Sequence, residues 1–203
     1  MTEGTIQAGV LTDGSLQQWE IRALEEMVNA GANIDIVIVN KSSQSRISYN
    51  IRHAPAYLII AGVRELAVRV LGSQPHFATT PLPEVKILDD IEQVSCEPVP
   101  VSGLGQKLPQ SIISEYCSDL DFLVRFGFGI LQGEVLTIPK YGVFSYHHGD
   151  LTEYRGRPAG FWEFMYDESV VGVTLQQLTG ELDAGNMIVR DEFELRSQDT
   201  YQE

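Results

Sequence analysis

Three short segments near the amino terminus restrict the architecture of this chain more than anything else in it. Ile6-Gln7-Ala8-Gly9-Val10-Leu11 is an apolar run with the length of a buried strand. A helical stretch follows to about Ala30, with Trp19, Ile21, Leu24 and Met27 on roughly one face. Ile34-Asp35-Ile36-Val37-Ile38-Val39 is then a β-branched run, a second strand. Strand, helix and strand in that order open a parallel sheet, since parallel neighbours need a crossover that a helix supplies.

Beyond this opening the pattern thins and then clears. Between 40 and 107 the spacing predicts a helix over 56–71, a break of regularity at Pro75, Pro81 and Pro83, a strand over 94–98 and a loop over 101–105. Further on it predicts a helix over 109–116, a buried strand over 120–124, a short helix over 133–138 and a strand over 143–147. A helix over 158–166 carries Pro158 near its start, where a missing N–H costs little. Strands over 171–178 and 187–195 close the chain. The expectation is one α/β domain over 1–203, a mostly parallel sheet with helices on both faces.

Composition narrows the function classes. No apolar run reaches ~18 residues, so no membrane span is expected. The start, Met1-Thr2-Glu3-Gly4-Thr5, lacks a basic stretch before an apolar one and does not read as a secretory signal. Cys96 and Cys117 form no metal-ligand spacing and read as two buried thiols of a reducing cytoplasm. Fourteen basic residues against 28 acidic ones leave a net charge of −14, which repels phosphate backbones and disfavours nucleic acid as a partner. An acidic surface with only four Lys also suits a salt-rich cytoplasm, where screening weakens self-repulsion.

The chemistry concentrates in Phe144-Ser145-Tyr146-His147-His148-Gly149-Asp150-Leu151, which ends a strand and enters a loop. Alternation along a strand points Ser145 and His147 one way, Tyr146 and His148 the other. Ligands of parallel sheets gather beyond the carboxyl ends of the strands, where such a Ser/His pair can meet a substrate. Downstream, Gly172-Val173-Thr174-Leu175-Gln176 leads to Gly180-Glu181-Leu182-Asp183-Ala184-Gly185. An Asp in a Gly-flanked turn after a strand can sit beside a histidine at a neighbouring strand end. Plainer readings stand beside these. Ser145 is an oxyanion donor or a passive filler. His147, His148 and Asp150 diverge too much for a metal, so none is expected. Gly14-Ser15 reads as a helix cap in preference to a phosphate site. Phe161, Trp162 and Phe164 read as core, and Arg155 and Arg157 either hold an anion or pair with local acids.

At His147, Tyr154-Arg155-Gly156, Gly172-Val173-Thr174 and Leu182-Asp183-Ala184-Gly185 the chain resembles the catalytic domain of the folate-dependent formyltransferases, in order and at plausible spacing. That family includes enzymes that formylate glycinamide ribonucleotide, methionyl-tRNA and amino sugars. The resemblance implies a Rossmann-like fold and transfer of a formyl group from 10-formyltetrahydrofolate to a primary amine. It implies His147 as the donor to the formyl oxygen, Asp183 as the group that keeps His147 in donor form and helps take the proton of the amine, and Ser145 in the place of the family's Asn. The loop Phe126-Gly127-Phe128-Gly129-Ile130-Leu131 would hold the pterin, with Thr179, Gly180 and Glu181 on the turn before Asp183. The loop after His147 lacks the family's Pro-Ser-Leu-Leu-Pro. The expected acceptor is a small amine, an amino sugar or similar. Initiator tRNA is disfavoured by the acidic charge and by the lack of a following basic domain. Hydrolysis of the formyl donor, or folate binding without turnover, are the alternatives.

Overall fold

The computed structural model describes residues 5–42, 79–102, 105–149, 161–181 and 184–195, apart from the side chain of Phe161. The predicted helix over 56–71, Asp150, the Tyr154-Arg155-Gly156 motif, Arg157 and the pair Leu182-Asp183 lie outside them.

Strand β1 (Ile6–Thr12) is followed by a three-residue strand β2 (Ser15–Gln17), helix α1 (Gln18–Asn29) and strand β3 (Ala32–Asn40). β1 and β3 pair in parallel, which is the predicted opening. Strands β4 (Thr79–Pro81), β5 (Glu92–Cys96), β6 (Val99–Pro100) and β7 (Gln106–Lys107) follow. Helix α2 (Gln110–Ile112) runs on into a wider turn over Ile113–Cys117. Then come β8 (Phe122–Phe126), β9 (Val143–His148), the short helix α3 (Phe161–Met165), β10 (Val170–Gln177) and β11 (Asn186–Glu194). Seven of these form one sheet in the order β11-β10-β9-β8-β1-β3-β5. Five run parallel, and β10 and β11 are antiparallel additions at one edge.

The central strands read as near-continuous apolar runs because both of their faces are covered. Val10, Val37, Val124 and Phe126 face α1, which lays the buried Leu24 and the partly buried Trp19, Ile21 and Met27 against them. Full burial of a side chain such as Leu24 contributes about 1.5–3 kcal/mol. Leu11, Ile36, Ile38, Leu123 and Val143 face the opposite way, onto Ile112, Ile113, Cys117 and Phe128. Ile34 and Ile36 would share a face on a regular strand. A register shift between Ala8 and Gly9 skips Asp35, so Ile34 packs toward α1 and Ile36 away from it. Cys96 and Cys117 are both free and buried, as expected of them, and burial pushes their thiols up to about 11 and about 12.

Two local readings are corrected. Ser15 does not cap α1: it belongs to β2 and pairs with Pro81 of β4, and the helix begins three residues later. There the Glu20 carboxylate receives the Gln17 N–H at 2.7 Å. The Gly14 N–H is taken by the Thr12 hydroxyl, so it serves the turn. Trp162 and Phe164 of α3 are not core either. Glu163 points inward at 3% exposure, and a step of 100° per residue carries its neighbours Trp162 and Phe164 outward, to 39% and 38%.

Candidate active site

The face of the sheet away from α1 is apolar at its centre and polar at one end. β8, β9 and β10 lie side by side there, with Arg125 opposite Ser145, Ser145 opposite Gln176, and His147 opposite Thr174. Directly paired residues project from the same face, so these five side chains form one band. Ser145, Thr174 and Gln176 are buried at 1%, 0% and 5% exposure. Tyr146 and His148 turn the other way, as the strand period requires, and both pack edge-on against Trp19 of α1, with ring centres 5.4 and 4.8 Å apart. His147 and His148 therefore do not converge on a common ion.

Burying polar groups on a sheet face is costly unless they are paired, and two atoms of the band are not paired among the described residues. His147 Nε2 and Gln176 Oε1 are both buried without a hydrogen-bond partner there. Each such orphan costs about 1–3 kcal/mol, which makes the pair a place that a bound molecule can satisfy. Ser145 is differently placed. Its hydroxyl oxygen accepts from Arg125 Nη2 at 2.9 Å and Nε at 3.2 Å.

The loop after β8 borders this band. Gly127, Phe128 and Gly129 take φ of 81°, 64° and 74°, three left-handed residues in a row, which glycine tolerates on either side of the one side chain that must be buried. Phe128 is that residue, at 0% exposure. The carbonyls of the loop are held from three directions. Asn40 Nδ2 and Gln106 Nε2 donate to Phe128 O, Arg125 Nη1 to Gly129 O, and the Gln106 N–H to Ile130 O. Phe126 and Leu131, the two ends of the segment, are buried.

The turn between β10 and β11 meets the same region. Gln132 Nε2 donates to Gly180 O at 3.1 Å, so the Phe126–Leu131 loop and the Thr179-Gly180-Glu181 turn, read separately in the sequence, are brought together. The Thr179 hydroxyl closes the turn onto Ala184 O at 3.1 Å. Gly185 is pressed so closely on Gln176 that an added Cβ would collide with Gln176 Oε1 and the Gln177 carbonyl. Leu182 and Asp183, within this turn in the sequence, are outside the described residues.

Two members of the band were not singled out in the sequence. Arg125 interrupts the apolar run Phe122-Leu123-Val124, and a charge inside a buried strand was the available signal. Gln176 had a weaker one, an amide on the inward-facing parity of β10.

The family model described as "Formyl transferase" matches residues 100–203, just over half of the chain and all of the band. The chain belongs to the formyl transferase family. Among the relatives of this family member, the methionyl-tRNA formyltransferase of Clostridium tetani is 36% identical over 146 residues, which cover 68% of this chain and 46% of that protein. The chain spans about half the length of the curated relatives it matches. Its fold is that of two solved structures. One is a formyltetrahydrofolate deformylase from Pseudomonas syringae, with a TM-score of 0.61 at 14% identity, covering 98% of this chain and 54% of that one. The other is a phosphoribosylglycinamide formyltransferase from Anaplasma phagocytophilum, with a TM-score of 0.60 at 18% identity, covering 97% and 76%. The parallel sheet and formyltransferase-type fold expected from the sequence are those of the family.

Proposed function

We propose that this member of the formyl transferase family moves a formyl group from 10-formyltetrahydrofolate to a primary amine of a small molecule, an amino sugar or similar. The observation that carries the reading is His147 Nε2, buried on a polar band at the mouth of the sheet and without a partner among the described residues. An N–H there is placed to meet an oxygen that gathers negative charge as the amine adds to the formyl carbon. Such a donor is worth roughly 100- to 1000-fold in rate.

10-Formyltetrahydrofolate supplies, when bound, an activated formyl carbon. The residues present suit it. The rigid Phe126–Leu131 loop, with its left-handed run, and the Thr179-Gly180-Glu181 turn beside it offer backbone groups to a flat, many-edged ring such as a pterin. Asp183, two residues before Gly185 in the sequence, is the group we assign to His147. Its part there is to hold the ring oriented as a donor to the formyl oxygen. Asp183 also takes, directly or through a water, the proton shed by the attacking amine. The orphaned Gln176 Oε1 can accept from the other N–H of that amine. Ser145 supplies a second donor toward the developing charge.

A net charge of −14 over these residues favours a small acceptor over a polynucleotide. The test is a paired assay with 10-formyltetrahydrofolate, measuring tetrahydrofolate and formate, with and without a panel of amino sugars and small amines. Tetrahydrofolate formed only when an amine is present, without formate, is the expected result. Formate released at the same rate with no amine assigns hydrolysis instead, and tight folate binding with neither product assigns a binding domain.

A further inference from the structure

We infer that Arg125 is a positioning residue for formyl transfer: it fixes the Ser145 hydroxyl as a charge-polarised donor beside His147. The inference rests on the function proposed above and adds to it a residue that the sequence motifs do not contain.

Ser145 Oγ has two lone pairs and one proton. Arg125 donates to it twice, from Nη2 at 2.9 Å and from Nε at 3.2 Å. A guanidinium has no acceptor and keeps its proton at any ordinary pH, so this polarity cannot reverse. The oxygen's acceptor positions are spent, and the O–H can only donate. Among the described residues its other contact is to the Tyr146 carbonyl, at 3.4 Å, which is long for an O–H···O bond. The proton is therefore available to an oxygen in front of the band, and the cation behind it polarises the hydroxyl and strengthens the donation.

The same guanidinium donates from Nη1 to Gly129 O. One side chain thus couples the loop to the strand end that carries Ser145 and His147. It is also a fixed positive charge inside a strongly acidic protein, at the place where negative charge is to develop. A hydroxyl is shorter than an amide and has a single proton. Arg125 compensates for both deficits at position 145 by aiming that proton and polarising it.

The test is a double-mutant cycle on the full chain with Arg125→Met, Ser145→Ala and the double variant, with Arg125→Lys as a fourth protein. Tetrahydrofolate formation and folate KM are read for each, and each melting curve is recorded. Arg125→Met is expected to lower kcat by about 10- to 100-fold with the folate KM held within about threefold, and Arg125→Lys to recover part of the loss. In the Ser145→Ala background the same Arg125→Met change is expected to cost less than about threefold, because the hydroxyl it serves is gone. Equal losses in both backgrounds, or a raised folate KM at unchanged kcat, would overturn the assignment and leave Arg125 as an anchor of the loop alone. If Arg125→Met does not fold, Arg125→Lys against Ser145→Ala carries the same comparison. A wild-type protein that releases formate without an amine sinks the acceptor reading but not this one, since the cycle is then read on formate. A wild-type protein that forms neither product overturns both.

Discussion

His147→Leu is expected to lower kcat by about 100- to 1000-fold while changing the melting temperature little. The two halves of this result have one cause. His147 projects Nε2 into a buried place where no described residue meets it. A histidine kept for structure would be hydrogen-bonded there, and its loss would destabilise the fold. A histidine kept for a reaction can leave Nε2 without a partner among the described residues, and leucine, of similar size, removes that atom at little cost to the fold. The rate falls because the developing charge loses its nearest donor. A variant with full activity and a lower melting temperature would return His147 to the ranks of structural residues.

Asp183→Asn is expected to lower kcat by about 100- to 10,000-fold, the range over which a positioned acid–base group acts. Asparagine keeps the size of the side chain and some of its hydrogen bonding, but it cannot take a proton from the amine and does not attract positive charge to His147. Folate binding should change little, since the pterin is assigned to the Phe126–Leu131 loop and the Thr179–Glu181 turn. A variant that loses folate affinity while keeping kcat at saturation would make Asp183 a binding residue only.

What was legible in the sequence follows from the range of the forces involved. The strands of the main sheet could be read because buried parallel strands need apolar, often β-branched residues, and β1, β3, β8 and β9 fall within two or three residues of their expected bounds. The opposite facing of His147 and His148 needed only the two-residue period, and Trp19 beside Tyr146 and His148 bears it out. Long-range pairing was less accessible. Ser15 looked like a helix cap because its partner, Pro81 of β4, lies 66 residues downstream. Trp162 and Phe164 looked like core because hydrophobicity alone does not say which way a five-residue helix is turned; here Glu163 faces inward. Arg125 was passed over for a related reason. A lone charge in an apolar strand has no local partner, and its meaning lies in Ser145, one strand over.

The central claim is that an imidazole and a carboxylate, 36 residues apart in the chain, act together on a formyl group held at the mouth of the sheet. A crystal structure with a stable formyl-folate analogue tests it directly. The pterin is expected to be enclosed by the Phe126–Leu131 loop and the Thr179–Glu181 turn, with the formyl oxygen within hydrogen-bond reach of His147 Nε2 and the Asp183 carboxylate in the same cleft. A folate bound elsewhere, or an Asp183 carboxylate turned away from His147 with no cleft between them, would contradict it.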